Sequence, residues 1–71
     1  MFVHATTIEG KRIAINPMTI AVIVERETDR TAIETTDGNE YIVAESFTDF
    51  KVKLESSINK YRQHSTSLRS L

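Results

Sequence analysis

The chain has 71 residues, a formal net charge of -1 and no cysteine. That length admits one domain with a thin core. The missing thiols exclude disulfides, thiolate zinc sites and cysteine nucleophiles. Two glycines in all also exclude a glycine-rich phosphate loop. The average charge hides a split. Residues 1–50 carry four cations against nine acids, a net of -5, while residues 51–71 carry five cations against Glu55 alone, a net of +4. Such asymmetry points either to an anionic partner or to a basic helix drawn to its own acidic sheet. The longest apolar run, residues 20–24, is far too short to cross a bilayer, and the opening MFVHATT lacks the basic region and apolar core of a signal peptide. The expectation is a cytoplasmic protein with no membrane insertion.

In chain order, residues 2–8 are rich in β-branched and aromatic types and read as a strand. Glu9, Gly10 and Lys11 supply a turn, and residues 12–16 return with Ile13 and Ile15 on one face. Pro17 has no N–H for a ladder and pushes Asn16 away from helix, so residues 17–19 form a connecting turn. Residues 20–25 make a third strand that is apolar on both faces, with Ile20, Val22 and Val24 pointing one way and Ala21 and Ile23 the other. A strand apolar on both faces is covered twice, by the helix and by sheet curvature or a second copy of the chain. Residues 26–30 read as a polar loop. Residues 31–35 and 40–43 form a hairpin around Asp37-Gly38, where both residues tolerate the positive φ of a tight turn.

Ser46 and Asp49 have the spacing of a capping box. Beyond them Phe47, Phe50, Leu54, Ile58 and Tyr61 recur at steps of three and four, the apolar stripe of an amphipathic helix over residues 47–63. The serine-rich residues 64–71 read as a frayed tail. The whole is an α+β domain over residues 1–63: a small antiparallel sheet of four to five strands, built from hairpins, with one C-terminal helix packed across it.

Catalysis finds no constellation here. Ser46 is the best-placed hydroxyl, and capping accounts for it. The carboxylates sit on loops and strand exteriors, where solvated acids are the rule. His4 and His64 have no neighbour at ligand spacing, and His4 belongs on the outer face of the first strand. No catalytic residue, cofactor or metal is therefore expected. On a helical wheel Lys53, Lys60 and His64 fall along one flank of the apolar stripe, and Lys51 and Arg62 along the other. Val52 projects from the face opposite the core, a position that suits a contact with another chain. Lys51, Val52, Lys53, Lys60 and Arg62 are accordingly the candidate partner-binding residues.

Four pieces of this pattern carry a resemblance. They are the opening strand that ends in Gly10-Lys11, Ile15-Asn16-Pro17 followed by Ile20, Thr35-Thr36-Asp37-Gly38, and residues 41–46, YIVAES, leading into the helix. Over about residues 2–62 the chain resembles the FlbD-type small flagellar-accessory proteins. The resemblance implies a non-enzymatic accessory or adaptor protein that binds a larger assembly, in a flagellar or motility setting or as a small bacterial or phage protein. It transfers no catalytic residue. The long tail and the charged segment at residues 26–30 depart from the pattern. The strand-hairpin portion is also similar to half of a LytTR-type DNA-binding domain, without the basic loops such a domain uses on DNA.

The expected function is protein–protein interaction through a homodimer and with a protein partner in a larger assembly, using the helix flank and an exposed sheet edge; the homodimer rests on the two-sided strand at residues 20–24. The alternative is a small nucleic-acid-binding transcriptional regulator, with Lys53, Lys60, Arg62 and Arg69 on phosphates.

Overall fold

The computed structural model describes the backbone of residues 1–70 and the side chains of residues 1–60. Strands β1 (Val3–Thr6) and β2 (Arg12–Ile15) pair antiparallel. Strands β3 (Ile20–Glu27), β4 (Arg30–Thr35) and β5 (Glu40–Val43) form a second antiparallel sheet in that order, and the helix α1 (Phe47–Ser70) follows. This is the expected α+β architecture, with the sheet divided in two. The halves share a seam. Thr7 bridges Val43, the Ile8 N–H donates to the Ile42 carbonyl at 3.0 Å, and the Ala44 N–H donates to the Thr6 carbonyl at 2.8 Å.

Two of the three hairpins turn by the same device. The Gly10 N–H donates to the Thr7 carbonyl and the Gly38 N–H to the Thr35 carbonyl, with Gly10 at φ 90° and Gly38 at φ 91°. A single left-handed residue after a short turn is what such loops need, and glycine adopts it without a Cβ clash. Asp37, which could tolerate a positive φ, does not take one; among the described residues only glycines do. Its carboxylate instead takes hydrogen bonds from the Thr35 hydroxyl and the Asn39 amide. The Thr35 hydroxyl, first among these, holds the Asp37 carboxyl below the usual carboxylate range.

The segment at residues 26–30 is not the expected loop. Strand β3 continues to Glu27, which pairs with Arg30, so only Thr28 and Asp29 make the turn. Cross-strand pairing outweighs the polarity of these side chains, because an exposed strand end needs no apolar residues. A second correction concerns the faces of β3. The pairing slips between Ile20 and Val22, so Ala21 is an extra, bulged residue. A bulge breaks the two-residue alternation. Ile20 and Ile23 therefore share the inner face, packed against the core, while Val22 and Val24 stand on the outer face, 44% and 38% exposed.

The core consists of Val3, Ala5, Ile15, Ile33, Val43 and Phe50, with Ile13, Ile20, Ile23, Tyr41 and Leu54 packed around it. It lies where the two sheets face the first turns of α1. The Ser46 hydroxyl accepts the Asp49 N–H at 3.1 Å, as a helix cap should. The reciprocal bond of a full capping box is absent among the described residues; the Asp49 carboxylate is one methylene shorter than a glutamate's. The bounds of α1 run past the Gln63 end that the apolar stripe suggested. The stripe's Tyr61 and the side chains of the expected tail, 64–71, lie outside the described residues.

Candidate functional site

One lysine organises the surface where helix and sheets meet. The Lys53 ammonium donates to the Glu45 carboxylate at 2.7 Å and to the His4 carbonyl at 2.7 Å, and it sits 6.0 Å from the centre of the Phe50 ring. The reason lies in the strands. Beyond Thr6 the outer edge of β1 is bonded to the Ala44 end of β5, but the chain turns away there into the helix cap. The Lys53 ammonium takes the His4 carbonyl where no strand reaches it, and the nearby Glu45 carboxylate balances its charge. Thr31 anchors the same corner from below; its fully buried hydroxyl donates to the Glu45 carbonyl at 2.9 Å.

The attraction of the basic helix to the acidic part of the chain is therefore met at one point, through Lys53 and Glu45. The other ion pair among the described residues, Arg26 with Glu40 at 3.1 Å, lies within the sheet. Lys51 and Lys60 take part in neither.

Two hollows open beside Lys53 and share it, together with His4. The first runs along the helix. Val52, Ser56 and Lys60 form one wall and Met1, Phe2 and Val3 the other. Its large apolar side chains are well exposed, Met1 63%, Phe2 59% and Val52 60%. The second hollow lies over the outer face of the β1–β2 hairpin, among Thr6, Lys11, Arg12 and Ala14, with Ala44 and Glu45 opposite. Strand alternation explains the arrangement. Val3 and Ala5 point into the core, which turns Phe2, His4 and Thr6 outward.

Of the partner-binding residues expected from the sequence, the structure brings Val52, Lys53 and Lys60 together in the first hollow. Lys51 is exposed on α1 but lines neither hollow. The side chain of Arg62 lies outside the described residues, as does that of Arg69. Sequence reasoning missed Met1, Phe2, Lys11 and Arg12. The alternation around Val3 and Ala5 was the available signal for Phe2; nothing local placed it beside Val52, fifty positions along the chain.

Among the described residues no group of three or more His, Cys, Asp or Glu side chains gathers to hold a metal ion, and no helix is long and apolar enough to cross a membrane. Fold and surface together define a small α+β module with hollows open to solvent beside its helix. The chain matches the family model described as "FlbD: Flagellar and Swarming motility proteins" over residues 3–64, and it belongs to that family. The resemblance in the turns, the strand break and the cap thus extends over nearly the whole chain. Searches of curated proteins and of solved structures give no match.

Proposed function

We propose that this member of a flagellar and swarming motility family is an accessory protein that acts by binding other proteins rather than by catalysis. One observation carries the reading. Among the described residues seven large apolar side chains stand exposed, as many as the seven hydrophobic residues of the buried core. Scattered exposed apolar residues are ordinary, but adjoining ones on so small a protein mark contact surfaces. Met1, Phe2 and Val52 adjoin in the hollow beside the helix. Val22 and Val24 stand on the outer face of β3, and the register sets the exposed Ile8 beside the half-buried Ile42 on the same face, with the fully buried Ala32 between Val24 and Ile42.

The outer sheet face is the surface for a second copy. β3 lies at the edge of its sheet, and a twofold contact across Val22 and Val24 would bury apolar surface that the helix cannot reach. The helix-side hollow is then left for the partner in the larger assembly. The test is complementation of a flagellated host lacking the gene, scored by spreading in soft agar. Val24→Lys and Val52→Asp, each shown to keep the wild-type melting profile, are expected to lose motility. Full motility with both variants would remove the reading. Sedimentation at high micromolar concentration checks the dimer directly, and a monomer there would remove that part.

A further inference from the structure

We infer that the two hollows form one continuous docking strip, and that its occupant is an acidic segment of a partner protein carrying a large apolar side chain. The inference rests on the accessory reading and names the chemistry of the partner. His4 and Lys53 line both hollows, so the two adjoin along the outside of β1 and meet at that pair. At one end it offers Phe2 and Val52, with Met1 beside them. At the other it offers Lys11 and Arg12, both exposed and in neither ion pair among the described residues.

Charge selects the occupant. Lys11, Arg12, Lys53 and Lys60 line the strip, and Glu45, already bonded to Lys53, is the one carboxylate among its lining residues. This happens on a chain of net charge -1, whose residues 1–50 stand at -5. Cations are thus concentrated where the surface is concave, and a ligand with carboxylates is drawn there and its like-charged rival rejected. The apolar end favours protein over nucleic acid. Met1 and Val52 present aliphatic and thioether surface that suits a leucine or phenylalanine side chain, whereas nucleic-acid grooves line up several aromatic rings for stacking.

Fluorescence anisotropy with labelled twelve-residue peptides tests this on the full chain. One peptide combines Glu and Leu, a second replaces Glu by Lys, a third replaces Leu by Ser, and an oligothymidylate of similar length is the fourth probe. The Glu–Leu peptide is expected to bind, with affinity falling as salt rises, and the other three to bind about tenfold or more weakly. Arg12→Glu and Val52→Asp, both at exposed positions, are each expected to weaken the Glu–Leu peptide about tenfold while the melting profile is kept. Three results overturn the inference: no binding of the Glu–Leu peptide, equal binding of the Lys–Leu peptide, or preference for the oligothymidylate. Lost peptide binding with motility still dependent on Val52 would discard the acidic partner and leave the accessory reading standing. Motility indifferent to Val52 and Val24 would remove both.

Discussion

Replacing Lys53 by methionine keeps an unbranched apolar stem of similar length and removes the ammonium. Two hydrogen bonds at 2.7 Å are lost, one to the Glu45 carboxylate and one to the His4 carbonyl. Bonds involving a charged group contribute roughly 1.5–3 kcal/mol when sheltered, while exposed ion pairs contribute about 0.2–1 kcal/mol. Here the Lys53 side chain is 40% exposed and that of Glu45 21%, between the two limits. The expected loss is about 1–2 kcal/mol. A domain of this size loses roughly 4–8 °C of melting temperature per kcal/mol, so Lys53→Met should melt on the order of 5–15 °C lower. The assay is urea and thermal unfolding at one fixed protein concentration, since any self-association would move the midpoint by itself. A double-mutant cycle with Glu45→Gln separates the ion pair from the carbonyl contact, with a coupling of about 0.5–1 kcal/mol expected. If Lys53→Met lay within about 0.3 kcal/mol of wild type, the claim that this ammonium takes the place of a strand at His4 would be wrong.

Phe50→Ala removes the largest fully buried side chain among the described residues, at a cost of about 3–5 kcal/mol that approaches the whole stability of so short a chain; circular dichroism should show a largely unfolded protein at 25 °C. Gly38→Ala meets no atom within 4 Å of the new Cβ but must hold φ 91°, so chemical denaturation should register only the backbone term, about 1 kcal/mol. Because the Asp37 pKa is lowered on folding, its stabilising contribution is complete above the unfolded value of about 4. It is lost as pH falls through the folded value. Asp37→Asn should therefore flatten the acid limb of a stability–pH curve while leaving its neutral part parallel to wild type, and an unchanged acid limb would contradict the role given to the Thr35 hydroxyl.

What the sequence determined by itself was set by near neighbours. The Gly10 and Gly38 turns, the Asn16-Pro17 break, the Ser46 cap and the placement of Phe50 and Leu54 on one helix face all obey rules spanning about four residues. Those rules were enough for the α+β class and for the family. The tertiary structure alone decided features that depend on distant pairing. The bulge at Ala21 turned Val22 and Val24 outward, because register against Glu34 and Ala32 sets which face each residue takes. Pairing of Glu27 with Arg30 made strand from what composition marks as loop. Lys53 read as a free basic flank until the fold brought it to the carbonyl of His4, forty-nine positions away. Phe2 met Val52 for the same reason. Packing of β1 against α1 joins residues that no local period relates, and it is at those junctions that the candidate docking surface is built.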